Sequence, residues 1–390
     1  MTDWPVKTLG EVCLGIDRQV PEVSGRADFT YIDLSAVNQM TKQIEDSRIL
    51  AVEEAPGRAR QLVKTGDVLV STVRPNLNAV ALVESELDGA TASTGFCVLR
   101  PNRLIIEPGL LFAWVRNQLF IDELTSLAKG ASYPAVTDDI VKALKMPVPP
   151  LEEQKRIVAL LDAATVRLTE LTACYEQSRT HANNLFASAL RETLASNPDW
   201  PVKTLGEVCS IMSVLVDPKD LKYSGMIHIG AGNIEAKTGR LFGIKTAREE
   251  KLISGKFLYS ENDVLYSKIR PYLEKVALPA QAGLCSADVY PLQPGPLLTR
   301  MFLFYTLVSE TFTEYAISGS SRTGMPKVNR EHLFKYEMKV PPLAVQTEIV
   351  ERLDATRIKK SEMVAAYDAK LTAARNLRQS ILEAAFTGEL

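Results

Sequence analysis

Eleven residues, DWPVKTLGEVC, stand at positions 3–13 and again, unchanged, at 199–209. An identity of that length does not arise by chance, and a duplicated chain is expected to fold as two like halves. The likeness continues beyond the opener. TYIDLSAVN (30–38) matches GMIHIGAGN (225–233) in pattern, and GDVLVSTVRPNLNAVAL (66–82) matches NDVLYSKIRPYLEKVAL (262–278) without a gap. GASYPAV (130–136) parallels the Gly/Ser-rich segment 319–328 that ends in MPKV. VPPLEEQKRIVALLDA (148–163) matches VPPLAVQTEIVERLDA (340–355), and LFASAL (185–190) echoes LRQSIL (377–382). The copies are 192–196 residues apart, so each repeat is a whole domain with an attached element, far longer than a solenoid unit. Two such halves are expected to be related by a pseudo-two-fold axis, as in a homodimer fused into one chain.

Each half divides again. YIDL, DVLVSTV and FCVL in the first, and MIHIG, DVLYSKI and ADVYPL in the second, read as strands between turn formers. LLFAWVRNQLFIDEL (110–124) and LLTRMFLFYTLVSETFTEYA (297–316) read as amphipathic helices. The remainder differs in kind: no Gly or Pro occurs from Leu151 to Asn197 or from Leu343 to Phe386. Each run follows a Pro-Pro pair (149–150 and 341–342) that stops upstream helix, and Glu152 and Glu153 suit the first turn of a helix. Val158, Leu161, Leu168 and Tyr175 recur at three-to-four spacing, as do Val350, Leu353, Val364, Tyr367, Leu371 and Ile381. At 1.5 Å per residue, about 45 residues make a rod of roughly 68 Å. Such a rod cannot bury its apolar stripe alone, and its partner is expected to be the other helix, running antiparallel; the alternative is two helical hairpins, each folded onto its own module. The expected class is therefore α+β: two similar mixed α/β modules (1–150 and 199–342) separated by two long helices (151–198 and 343–390) in an antiparallel coiled coil. Two modules held apart by a rod make a caliper. A dimeric DNA reader places its half-site elements about 34–36 Å apart per helical turn, so a DNA target would be bipartite. Because the modules diverge outside the shared segments, its halves would differ.

Charge narrows the partners. The chain as a whole carries a net charge of −2. Residues 3–150 hold 15 Lys and Arg against 19 Asp and Glu, net −4, whereas 199–342 hold 18 against 15, net +3. A nucleic-acid binder usually shows a basic footprint, so the first module needs a local basic patch or a partner that supplies phosphate contacts. The five cysteines (Cys13, Cys97, Cys174, Cys209, Cys285) are widely spaced with no CxxC, which suggests neither a zinc site nor a disulfide framework but free thiols of a reducing cytoplasm. The opening residues show no signal-peptide pattern, and no run of about 18 apolar residues suggests a membrane span.

The opener WPVKTLGEV, the strand-rich variable module, the Gly/Ser-rich turn ending in Pro and the segment VPPLEEQKRIVALLD together resemble the specificity (S) subunit of type I restriction–modification systems. The resemblance covers both halves. V-P-P-L-x-E-Q-x-x-I-V-x-x-L-D is its most specific part, and the second copy departs from it mildly, with Val345 for Glu153 while Gln346 keeps the Gln. The resemblance implies that the modules are target recognition domains, each reading one half of a split site in double-stranded DNA. It implies that the helices hold them apart and dock two methyltransferase (M) subunits, to which restriction (R) subunits can add, and that the S subunit performs no chemistry and needs no cofactor.

Base edges and phosphates are met by Arg, Lys, Asn, Gln, Ser and Thr. The STVRPNLN segment offers Ser71, Thr72, Arg74, Asn76 and Asn78; its counterpart offers Ser267, Lys268, Arg270 and Tyr272. Arg74 and Arg270 align, each followed by Pro. Shared residues do not explain different half-sites, so this pair suits phosphate anchoring or a structural ion pair, while Thr72/Lys268 and Asn76/Tyr272 suit specificity. A second patch precedes the shared Pro: Lys129, Ser132 and Tyr133 against Ser320, Ser321, Arg322, Thr323 and Lys327. A third follows the first strand: Ser35 and Asn38 against Gly230, Asn233 and Lys237. The bland readings are Ser/Gly turns for the second patch and a strand-to-strand turn for the third.

Enzyme readings fare worse. IHIGAGN (227–233) suggests a cofactor loop, but the aligned IDLSAVN (32–38) has neither glycine, and a turn rather than a helix follows. Asn197-Pro198-Asp199-Trp200 is wrong at its third place for an amino-methyltransferase motif. Glu235-Ala-Lys237 and Glu337-Met-Lys339 have nuclease E-x-K spacing but no preceding Pro-Asp at a suitable distance, and His181, His228 and His332 are isolated. No metal site is expected. The alternative that remains is a protein–protein scaffold, which differs from a DNA reader in showing neither base preference nor steep salt dependence.

Overall fold

The computed structural model describes residues 4–390 apart from 22–24, 131, 196, 212–214 and 321–325. The repeated opener folds the same way twice. Val6–Thr8 pairs antiparallel with Lys145–Pro147, and Val202–Thr204 with Glu337–Lys339. Thr8 caps one helical turn, Leu9–Val12: its Oγ1 accepts from the Glu11 N–H, and the Glu11 carboxylate accepts from the Thr8 N–H at 2.7 Å. The Thr204 N–H likewise donates to Glu207 at 2.6 Å. These are reciprocal capping boxes that satisfy helix-start donors. Each module's first strand thus meets its last, and the long helix starts at a fixed point.

Among the described residues each module holds two further sheets. In the first, an antiparallel sheet runs Cys13–Leu14, Phe96–Pro101, Val68–Ser71, Val80–Leu82. A mixed sheet runs Arg48–Ala51, Asp28–Ile32, Thr91–Ser93, Ala59–Leu62, its middle pair parallel. The second module repeats the antiparallel sheet as Cys209–Ser210, Val289–Pro294, Val264–Ser267, Val276–Ala277. Its mixed sheet runs Leu215–Val216, Lys256–Tyr259, Gly283–Cys285, Ile227–Ile229, Lys245–Thr246, which adds one edge strand. The VLVS and VLYS strands are buried along their whole length, which is why they read as continuous apolar runs.

The structure corrects one expectation. The segments 110–124 and 297–316 are not single helices. Each is two: Pro108–Val115 and Gln118–Ser126, then Arg300–Leu307 and Glu310–Ser318. The break lies at a capping residue. The Asn117 side chain accepts from the Leu119 N–H at 2.9 Å, and Ser309 Oγ accepts from the Phe312 N–H at 3.3 Å. A polar side chain that binds the backbone ahead of it starts a new helix.

The two Gly/Pro-free runs form unbroken helices of 45 residues, Leu151–Ala195 and Leu343–Thr387, as the sequence predicts, so the hairpin alternative falls. The chain divides into two compact units, Met1–Tyr175 with Ala369–Leu390, and Glu176–Asp368. Each unit joins a module to the start of the helix that follows it and the end of the other helix. In the first unit Ile157, Leu161, Leu382, Ala385 and Phe386 enter the core with Leu110 and Trp114, and the Phe386 ring meets the Trp114 ring edge-on at 4.9 Å. In the second, Leu190, Ile349 and Leu353 enter the core with Phe302 and Tyr305. The two helices run antiparallel within each unit. Arg156 donates to the Leu390 carbonyl at 2.6 Å and Arg378 to Thr169 at 3.3 Å in one; Arg179 pairs with Asp368 at 2.9 Å in the other. Among the described residues no helix is long and apolar enough to cross a membrane, and the five cysteines are free.

One tight approach yields a test. Gly283 lies opposite Tyr259 across the mixed sheet of the second module. A Cβ there would fall 2.6 Å from Tyr259 Cζ and 2.8 Å from the Ile227 carbonyl oxygen. Because Tyr259 is buried, it cannot swing aside without cost. Gly283→Ala is expected to destabilise the second unit by about 3 kcal/mol by overpacking, read as a lower urea midpoint of that unit.

Candidate nucleic-acid interface

The strand Val68–Ser71 ends in a loop whose backbone is unusual. Arg74 is left-handed (φ 50°, ψ 60°), Pro75–Leu77 form one 3-10 turn, and Asn78 is left-handed again (φ 47°, ψ 52°). The second module repeats this with Arg270 (φ 50°, ψ 62°), Pro271–Leu273 and Glu274 (φ 49°, ψ 46°). A left-handed residue other than glycine costs about 1–2 kcal/mol, and such strain persists where the surroundings over-determine it. Here the Gly/Ser segment does so. The Arg74 N–H donates to the Pro134 carbonyl at 2.7 Å, and Val136 N–H to Thr72 O at 2.9 Å. The Arg270 N–H donates to Pro326 O at 2.9 Å, and Val328 N–H to Lys268 O at 2.8 Å.

The first and second candidate patches therefore meet in each module. In the first, the Arg74 guanidinium stacks over the Tyr133 ring at 4.8 Å, and Tyr133 is 70 % exposed. Lys129 and Ser132 are exposed beside it. Gly130, at φ 109°, turns the chain where a Cβ would meet the Tyr133 carbonyl at 2.9 Å. In the second module Lys327 pairs with Asp288 at 3.2 Å, and Lys268 lies 5.2 Å over the Tyr290 ring. Ser320 is buried and donates to Ile317 O at 2.7 Å, which closes the preceding helix. Ser321, Arg322 and Thr323 lie outside the described residues.

The third patch reaches the far end of the same loop. Lys42, left-handed at φ 62°, donates from Nζ to the Asn78 carbonyl. Lys237, left-handed at φ 63°, donates from its backbone N–H to Leu273 O at 3.2 Å. Burial, and then the nearby Arg116 guanidinium, pushes the Lys42 ammonium down to about 8. At the position of Asn78 the second module has Glu274, whose carboxyl burial pushes up. Lys42 is a residue that sequence reasoning passed over; the shared Asn-x-x-x-Lys spacing of 38–42 and 233–237 was the available signal.

Candidate side chains differ in what they leave free. Ser71, Thr72 and Ser267 are buried; Thr72 Oγ1 donates to Gly95 O at 2.8 Å, Ser71 Oγ to Val73 O at 2.9 Å, and Ser267 Oγ to Ile269 O at 3.3 Å. Asn78 Nδ2 donates to Val115 O at 2.8 Å. Ser35 donates to Asp33 at 2.6 Å and Asn38 to Glu45 at 2.8 Å. The Asn233 Oδ1 accepts from the Gly230 N–H at 2.9 Å and its Nδ2 donates to Phe242 O at 3.2 Å. These groups build turns. Ser35, Arg74, Asn76, Lys129, Ser132 and Tyr133 in one module, and Lys237, Arg270 and Tyr272 in the other, are the described candidates left exposed, Ser35 with its hydroxyl already bonded to Asp33.

A frame of this kind is found in known proteins. The family model described as the type I restriction modification DNA specificity domain matches residues 1–174 and 197–368. The type I restriction enzyme EcoDI specificity subunit of Escherichia coli is 29 % identical over 321 residues, which cover 74 % of this chain and 71 % of that one. A chain solved in work on complex assembly and conformational transition of the type I R-M system superposes with a TM-score of 0.87 at 30 % identity, over 99 % of this chain and 98 % of that one. The HsdS subunit of Thermoanaerobacter tengcongensis superposes with a TM-score of 0.65, also at 30 % identity, over 99 % and 97 %.

Proposed function

Because this chain belongs to the family of type I restriction–modification DNA specificity subunits, we propose that its two modules each read one half of a bipartite, asymmetric DNA site and that it carries out no chemistry itself. The observation that supports this is one scaffold bearing two different surfaces. The strained loop, its lysine and its proline contacts recur in both modules, yet the exposed residue two places after the shared Arg is Asn76 in one and Tyr272 in the other. Asn fits an adenine edge, and Tyr does not offer the same donors and acceptors.

In this reading residues 1–150 and 199–342 are the recognition domains. Residues 151–198 and 343–390 set the unread spacer and dock two methyltransferase subunits, with restriction subunits adding to that complex. Exposed apolar side chains on the helices support the docking: Leu160, Val166, Leu171 and Leu377 in one unit, Leu185, Leu343 and Ile358 in the other. A partner also answers the charge balance, since the first module is net negative.

The test is co-expression with a methyltransferase partner and base-resolution mapping of methylated DNA. One split motif with two unlike halves and a fixed gap is expected. Asn76→Ala is expected to relax one half and Tyr272→Ala the other, each by about 1–3 kcal/mol of discrimination. A stable complex that methylates nothing would turn the assignment to a protein–protein scaffold.

A further inference from the structure

We propose that Arg74 and Arg270 are the phosphodiester anchors of the two modules, equivalent guanidinium groups that clamp the DNA backbone and set each module's register without reading a base. The inference rests on the reading of the modules as DNA-binding domains. Both residues hold the same left-handed backbone, a conformation that glycine adopts without strain. Both copies of the repeat keep Arg there instead, so the side chain is what the position retains. The backbone from which it projects is held by the bond from its N–H to Pro134 or Pro326 and by the proline that follows. Neither guanidinium forms an ion pair or hydrogen bond with a described residue, and both are exposed, so the structural ion-pair alternative has no partner to rest on.

Arg74 Cζ lies 4.8 Å from the centre of the Tyr133 ring, a contact that takes up none of its N–H donors as a hydrogen bond. A planar fork of donors matches two phosphate oxygens at once. A base-reading role conflicts with the repeat: one residue in one geometry would read the same base in both halves, whereas phosphates are alike everywhere. The first module carries 15 basic against 19 acidic residues over 3–150, so its phosphate contacts must be local, and an unpaired Arg on a fixed loop is such a contact.

The test uses R74G and R270G in the full chain complexed with its methyltransferase partner. Glycine relieves the backbone strain as it removes the side chain. The expected result is a melting temperature unchanged or raised. Affinity for a duplex bearing the methylated motif falls about tenfold per substitution, as for loss of a charge-assisted hydrogen bond. It falls equally for a scrambled duplex, the methylated motif stays the same, and the slope of log affinity against log salt decreases by about 1. A lowered melting temperature with unchanged affinity would overturn the proposal in favour of a structural Arg. A loss confined to the motif-bearing duplex would overturn it in favour of base reading. If the unsubstituted complex binds neither duplex, the underlying DNA-binding reading falls as well; if it binds and R74G and R270G bind as tightly, only the anchors fall.

Discussion

Gln154→Leu is expected to cost the first unit about 4 kcal/mol, a large part of a domain's stability. Gln154 is fully buried near the start of the first long helix. Its Oε1 accepts from the Glu107 N–H at 2.8 Å, and its Nε2 donates to Ile105 O at 2.9 Å and Pro149 O at 2.7 Å. One amide thus ties the long helix to the Pro-Pro segment before it and to the helix Pro108–Val115 of the module. Leucine fills the space but leaves one N–H and two carbonyls without partners, each worth about 1–3 kcal/mol when buried. Gln154→Glu is expected to be worse, because a carboxylate would face two carbonyl oxygens. Gln346 repeats the arrangement with Thr299, Leu297 and Pro341, all at 2.8 Å, so Gln346→Leu is expected to weaken the second unit alone. Urea unfolding followed by tryptophan fluorescence separates the two, since Trp4 and Trp114 pack in the first core and Trp200 in the second. An unshifted first transition in Gln154→Leu would show that the tie contributes little.

Arg100→Met is expected to cost about 3–5 kcal/mol, because it leaves a buried carboxylate without its cation. Asp67, almost wholly inaccessible, accepts from Arg100 Nε at 3.1 Å and Nη2 at 2.9 Å and from the Lys64 N–H at 2.8 Å. Arg100 also donates to Leu62 O at 2.8 Å. The pair sits at the foot of the strand Val68–Ser71, whose other end carries Arg74. The second module keeps the acid as Asp263 but has Gln293 in place of the Arg, with Asp263 accepting from the Ser260 N–H at 2.8 Å. Asp67→Asn combined with Arg100→Met is therefore expected to recover most of the loss, since the amide oxygen still accepts from Lys64 and no buried charge remains. Equal losses in the single and double variants, measured as a double-mutant cycle, would refute the ion-pair account.

Both effects concern residues whose importance sequence spacing could mark but not explain. Gln154 and Gln346 stand at the same place in the repeated V-P-P-L segment, which flags them, yet their partners Ile105 and Leu297 lie 49 positions upstream. The loop that follows Ser71, with its counterpart after Ser267, shows the same division. The aligned Arg-Pro pairs of 74–75 and 270–271 were visible, and so were the patches before Pro134 and Pro326. That the patches touch one another, and that Thr72 turns inward to Gly95 while Asn76 stays outside, depends on hydrogen bonds across 23 to 64 positions of chain. The single helices read over 110–124 and 297–316 failed for a more local reason. Asn117 and Ser309 bind the backbone ahead of them, and apolar periodicity on either side does not register a cap.

What the sequence by itself determined is the architecture: two like mixed α/β modules and two unbroken helices. Identical or closely matched segments have the same local options, and a 45-residue run without Gly or Pro has few alternatives to one helix. What only the tertiary structure decided is which polar side chains remain available to a ligand. A Ser, Thr or Asn offers the same donors and acceptors whether it closes a turn or faces solvent. The choice is made by whether a backbone group from a distant segment lies within about 3 Å of it, a matter of packing that no spacing in the chain records.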